Sequence, residues 1–157
     1  MPPDHQMLEN FNLHETEFEK LRKISVKYDR FHYPSRDETD SIACIISSKD
    51  KKELNSLIQK LGIIGIQYDG TSEICLLVHT WGISISGGYK EYVYMPKLED
   101  NIKDYEKEVA LDPSTEKYIV EKITQEDLDQ VAQRYSVNVE LYRPIKDAWY
   151  IHLSREN

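Results

Sequence analysis

The residues of this chain whose types invite chemistry are five histidines, two cysteines and a pair of serines beside a glycine pair. Ser84 and Ser86 precede Gly87 and Gly88. A nucleophile elbow needs Gly-x-Ser-x-Gly on a strand-to-helix turn. The Tyr92-Val93-Tyr94 that follows reads as strand instead, so the serines are expected on the polar side of an amphipathic strand. Gly87-Gly88 has backbone N–H groups to cradle an anion, but no Lys-Ser/Thr pair or helix start follows, which leaves a turn or bulge. His79 and His152 both fall in strand-like runs and could meet across a sheet, with Glu73 or Asp147 as carboxylate partners for acid–base work or a metal. Their spacing matches no zinc pattern and no cysteine pair accompanies them, so ordinary strand histidines are the expectation. His5, His14 and His32 lie in polar surroundings, and Cys44 and Cys75 read as two reduced thiols. The expectation is no catalytic residue, no metal and no cofactor.

Eleven tyrosines and two tryptophans are the unusual feature of the composition. Several of them cluster in strand-like segments: Trp81, Tyr89, Tyr92, Tyr94, Tyr142, Trp149 and Tyr150. Aromatic residues suit strands, and packing is the plain explanation. The period of two offers another. If Trp149, Ile151 and Leu153 face the core, Tyr150 and His152 face outward, and Tyr92 and Tyr94 share one side while Val93 takes the other. A solvent-facing tyrosine and tryptophan patch rimmed by carboxylates has the composition of a protein-binding surface. Trp81, Tyr89, Tyr92, Tyr94, Tyr150 and His152 are the expected partner-binding residues. The formal charge of −8, from 20 Lys+Arg against 28 Asp+Glu, argues against nucleic acid, which needs a basic face, and is compatible with a basic protein partner or with solubility alone.

The elements that would position these residues follow from periodicity. The start of the chain is polar and expected to be flexible through residue 9, with neither the basic segment nor the apolar run of a signal peptide. No stretch is long enough to span a bilayer, so the cytoplasm is the expected compartment. Phe18, Leu21, Ile24 and Tyr28 form a helical stripe, with Asn12 and Glu15 as a capping box. Residues 29–40 read as a loop, and 41–47, with Ile42, Ile45 and Ile46, as a short strand or a buried connection. Leu54, Leu57, Ile58 and Leu61 mark a second helix, capped by Ser48 or Asp50 and ended by Gly62. Residues 63–95 alternate as an antiparallel meander through an Asp69-Gly70 hairpin signal. Ile102, Tyr105 and Val109 give a weak helical stripe in a charged stretch, and Tyr118 to Ile123 suits a strand. Leu128, Val131, Ala132 and Tyr135 mark a helix with Thr124 as N-cap, and the chain closes on a hairpin turning at Lys146-Asp147. The expected fold is a single α+β domain over 1–157: an antiparallel sheet, meander plus C-terminal hairpin, with about three helices packed on one face.

Gly82-Ile83-Ser84-Ile85-Ser86-Gly87-Gly88-Tyr89-Lys90-Glu91-Tyr92-Val93-Tyr94 and the distant Tyr142-Arg143-Pro144-Ile145-Lys146-Asp147-Ala148-Trp149-Tyr150 resemble a group of small uncharacterised bacterial proteins. Those carry a Gly-Leu-Ser-Val-Ser-Gly strand, a Lys-Gly-Tyr-Val-Tyr strand and a closing Tyr-Arg-x-Ile-x-x-x-Trp-Tyr segment. The likeness takes in the helix ending in Lys60-Leu61-Gly62 and covers about half of the chain. Glu91 stands where their strand has Gly, and residues 98–138 look like an addition. The resemblance implies a bacterial origin and an antiparallel sheet, and no chemistry. Charge, size and tyrosine content together point to a non-catalytic protein-interaction domain, with an immunity-type or antitoxin-like inhibitor of a basic toxin as one form. The alternative is a small enzyme or ligand-binding domain with a pocket at the sheet edge near His79, Trp81 and His152.

Overall fold

The computed structural model describes residues 1–28, 30–33, 46–83, 86–102, 106–112 and 117–156. Among these, five helices and eight strands make an α+β fold in which one sheet runs β1-β2-β3-β4-β8-β7-β6-β5. The strands are β1 (Phe31–Tyr33), β2 (Gly65–Tyr68), β3 (Ile74–Ile83), β4 (Ser86–Tyr94), β5 (Glu106–Asp112), β6 (Lys117–Ile123), β7 (Asn138–Lys146) and β8 (Trp149–Glu156). The helices are α1 (Asp4–Leu13), α2 (Glu15–Ser25), α3 (Ser48–Leu61), α4 (Leu98–Asn101) and α5 (Leu128–Ala132). Every pairing is antiparallel except β6 with β7. That parallel pair requires a crossover, and α5 supplies it, so the expectation of an antiparallel sheet is corrected at this one pair.

The main core lies between α1, α2, α3 and α5 and one face of the sheet. Phe11, Phe18, Tyr92 and Trp149 form its aromatic centre, with Phe18 meeting the Tyr92 and Trp149 rings edge-on at 4.7 and 5.6 Å. Trp149, Ile151 and Leu153 all point into it, as the alternation in β8 requires. The opposite face is not bare. Leu98 and Ile102, four residues apart around α4, close over Val93, Ile123, Tyr142 and Tyr150 in a second, smaller apolar cluster. The count of about three helices on one face is thus corrected to four on one face and the single turn of α4 on the other.

Several local expectations change for identifiable reasons. Where a flexible start was expected, residues 4–13 form α1, because Met7 and Phe11 bury against the core and Asp4 is wholly enclosed. Asn12 falls inside α1, and α2 begins after His14 with no side-chain cap. Phe31–Tyr33 adds a short edge strand to what reads as a loop. In α3 the cap is Ser47, whose Oγ accepts from Asp50 N at 3.1 Å, and Gly62 ends the helix at φ +65°, a conformation that favours glycine. The weak stripe of Ile102 and Val109 resolves into α4 and then β5, paired to β6 with a register shift between Ala110 and Asp112. Asp127 rather than Thr124 caps α5, accepting from Gln130 N at 3.2 Å, while Thr124 Oγ1 accepts from Glu126 N. The 41–45 part of the expected strand, Cys44 and Ser84 lie outside the described residues.

Candidate functional site

Antiparallel partners in register project to the same face of a sheet, and consecutive residues project to opposite faces. In β4 this sends Lys90 and Tyr92 to the helix-covered face and Glu91 and Val93 to the other. Glu91 is in register with His152 of β8, and His152 with Tyr142 of β7. Glu140, two residues before Tyr142, therefore shares that face, as do Ser154 and Tyr89, which are in register with each other.

These residues make one hydrogen-bonded cluster. His152, 6% exposed, has Nδ1 at 2.8 Å from Glu91 Oε1 and Nε2 at 2.6 Å from Glu140 Oε2. Ser154 Oγ donates to Glu140 Oε1 at 2.8 Å. The Tyr142 ring lies flat on the imidazole, centroids 4.4 Å apart and planes 4° from parallel, and Tyr89 meets it edge-on at 5.5 Å. Burial would push the His152 imidazole down, but the hydrogen bonds and charges of Glu140 and Glu91 outweigh it and hold the group up at about 9. Burial, reinforced by Glu140 and Glu121, pushes the Tyr142 hydroxyl far up, and burial with Glu140 and Glu91 pushes Tyr89 up to about 12. Cys75, facing the same cluster from β3, has its thiol raised by burial and by Glu91, which makes it a poor nucleophile. Glu121 of β6 is in parallel register with Glu140, so two part-exposed carboxylates stand side by side at the margin of the cluster.

The chemistry available here is restraint rather than catalysis. An imidazole with both nitrogens engaged by carboxylates offers no lone pair to a substrate. Ser154 bonds the carboxylate and not the ring, so no serine–histidine nucleophile pair is formed. The expected carboxylate partners of His152, Glu73 and Asp147, are replaced by Glu91 and Glu140; Asp147 occupies the tight β7–β8 turn at φ +52°.

A second charged cluster sits on the helix-covered face. Lys90 is fully buried, with Nζ at 2.5 Å from Asp4 Oδ1, 2.8 Å from Asp129 Oδ2 and 3.2 Å from the Pro2 carbonyl. Asp4 Oδ2 accepts from the Leu128 backbone N–H at 2.9 Å and from Arg143 at 3.1 Å. Asp4, Asp127 and Asp129 converge closely enough to suggest a cation site. The lysine ammonium is already the cation between Asp4 and Asp129, and Asp127 caps α5, so the group reads as a structural lock on the N-terminal segment.

The six expected partner-binding residues divide between the two faces. The strand register, which slips one residue between Leu77 and His79, sends His79 and Trp81 to the helix-covered face with Lys90 and Gly88. There the Trp81 indole covers Gly88, where an added Cβ would approach its ring to 2.6 Å, and stacks with His79 at 6.1 Å. Tyr92 is buried in the main core, its hydroxyl donating to the Met7 carbonyl at 2.9 Å, and Tyr94 lies beneath the Arg22 guanidinium at 4.8 Å. Tyr89, Tyr150 and His152 take the opposite face, where Tyr150 and His152 are buried and only Tyr89 is half-buried. The expected single solvent-facing aromatic patch is corrected accordingly, and so is a pocket shared by His79, Trp81 and His152, which the sheet separates. The large apolar side chains that are exposed among the described residues, Met1, Leu13, Val26 and Ile64, are not aromatic. A groove of 650 Å³ lined by Asn12, Glu15, Thr16, Glu19, Lys20 and Lys23 runs along the α1–α2 junction and holds no His or Cys.

Sequence reading missed Glu91, Glu140, Lys90 and Asp4. For the two β4 residues the signal was present: once Tyr92 is assigned to the core, alternation puts Lys90 beside it and Glu91 beneath His152. No family model, curated protein or solved structure matches the chain. No helix among the described residues is long and apolar enough to cross a membrane.

Proposed function

We propose that the chain is a non-catalytic bacterial protein-interaction domain, of the immunity or antitoxin kind, that inhibits a basic toxin by docking it at the half-exposed margin of the sheet face that carries α4. The observation that carries this reading is the adjacency of Glu121 and Glu140 on β6 and β7, with the His152 imidazole between Glu140 and Glu91. Side-by-side carboxylates at a half-exposed margin attract cationic side chains, and the overall charge of −8 steers a basic partner from a distance. Tyr89, half-buried on the same face, is the aromatic residue positioned to contact such a partner. The same charge disfavours nucleic acid. Catalysis is disfavoured because the buried imidazole is committed to two carboxylates and Cys75 is held protonated.

Tagged protein captured from the source bacterium tests the reading. The expected result is one stoichiometric partner of high isoelectric point that elutes as salt is raised and is lost with Glu121→Lys. Capture that is indifferent to both salt and Glu121→Lys would overturn it.

A further inference from the structure

We propose that Glu91, His152 and Glu140 form a protonation-controlled clasp, in which an imidazolium on β8 donates one N–H to β4 and one to β7, and loss of one ring proton opens the clasp. The geometry fits two ring donors. Nδ1 and Nε2 approach carboxylate oxygens at 2.8 and 2.6 Å, and a neutral imidazole carries only one N–H. Glu140 accepts on both oxygens, from Ser154 as well as from His152, so it has no proton of its own to offer the ring. With a neutral ring, one bare nitrogen would face a carboxylate oxygen inside a buried site, a repulsive contact in a region that water reaches poorly.

The groups that face the imidazole come from every strand around it. They are Glu91 and Tyr89 from β4, Glu140 and Tyr142 from β7, Cys75 from β3 next to Glu91, and Glu121 from β6 next to Glu140. All are anionic or neutral in kind, so the field favours the proton on the ring, in agreement with the upward shift of His152. Tyr142 lies flat over the ring at 4.4 Å and closes it off from solvent. The clasp joins β4, β8 and β7, so its state sets how firmly those three strands are held on this face.

The test is nitrogen NMR of the His152 ring in the intact chain from pH 6 to pH 10.5, together with backbone amide exchange. The expected result is two protonated ring nitrogens at pH 7, a midpoint above pH 8, and a fall of at least about one pH unit in that midpoint with Glu140→Gln. Amide exchange at Tyr142 and His152 is expected to accelerate at least about tenfold between pH 7 and pH 10 beyond its intrinsic base dependence, while β2–β3 amides follow the intrinsic dependence alone. A ring with one bare nitrogen at pH 7, or a high midpoint with no extra exchange at these strands, would overturn the clasp.

Discussion

Lys90 and Glu91 are consecutive residues, yet they found two opposite kinds of charged cluster. On the helix-covered face, Lys90 satisfies its three donors with Pro2, Asp4 and Asp129. The resulting lock ties the first turn of α1 and the start of α5 to the middle of the sheet. Its cation is a lysine held between two carboxylates. On the other face, Glu91 leans on His152, whose charge is conditional, and the elements joined are neighbouring strands already paired through their backbones. The first cluster therefore joins distant parts of the chain, and the second tunes local strand packing by a removable proton. Alternation along a single strand is enough to separate the two roles.

The strongest way to break this comparison is to remove the buried lysine. Lys90→Met keeps most of the side-chain stem but takes the ammonium from between Asp4 and Asp129, leaving the fully buried Asp4 with Arg143 and Asp129 without the lysine. A loss of about 3–5 kcal/mol in urea denaturation is expected, with part of it recovered when Asp4→Asn is added. Trp149→Ala gives the yardstick on the same face, since the indole is 2% exposed and packs against Phe11 and Phe18; about 3–5 kcal/mol is expected there too, with no pH dependence between about pH 6 and pH 10. If Lys90→Met proves nearly harmless while Trp149→Ala does not, the lock is decoration on an apolar core.

The conditional cluster should show itself in pH. Because the folded state holds the His152 proton more tightly than the unfolded chain does, its contribution is fully present below about pH 6.5. It declines as pH rises and is gone above about 9. Its size is on the order of 3 kcal/mol, and it should vanish from the pH profile of His152→Gln. Urea midpoints collected every half pH unit from 6 to 10 measure both, and a flat wild-type profile across that window would remove the distinction between the two faces.

How far the sequence foretells this arrangement depends on the range of the interaction concerned. The α+β class, the antiparallel sheet and the inward Trp149, Ile151 and Leu153 follow from alternation and stripes, which are local. The apolar stripe around Leu57 and the Gly62 stop are local as well. Burial of the second face is not local: it depends on Leu98 and Ile102 returning over Val93 and Tyr150 from a stretch too charged and too short to announce a helix. The parallel β6–β7 pair rests on a crossover whose direction periodicity does not encode. For the candidate site, His152 and Tyr89 are legible as strand residues on one face, but their partner Glu140 is twelve residues from His152 across a hairpin, and Asp4 reaches Arg143 over almost the whole chain. The bulge at Leu77 and His79 also inverts the side taken by His79 and Trp81, and one extra residue in a strand leaves no periodic trace.

The finest test of the comparison is Ser154→Ala, the smallest change that touches only the conditional cluster. Ser154 is 4% exposed, and its hydroxyl donates to the Glu140 oxygen that His152 does not use. Losing one such bond costs about 0.5–1.5 kcal/mol, well below the Lys90 and pH effects. If Ser154 only fills space, the His152 midpoint will not move. If it orients Glu140, its loss lets that carboxylate swing from the ring toward solvent, where its side chain is already 28% exposed, and the midpoint falls by a few tenths of a pH unit. No effect is expected at Lys90, since the sheet separates the clusters and sites without shared partners act additively. The double variant with Lys90→Met should therefore lose the sum of the two single losses to within about 0.5 kcal/mol. A larger coupling would mean that the two charges communicate through the β4 backbone, and that the faces cannot be treated as independent.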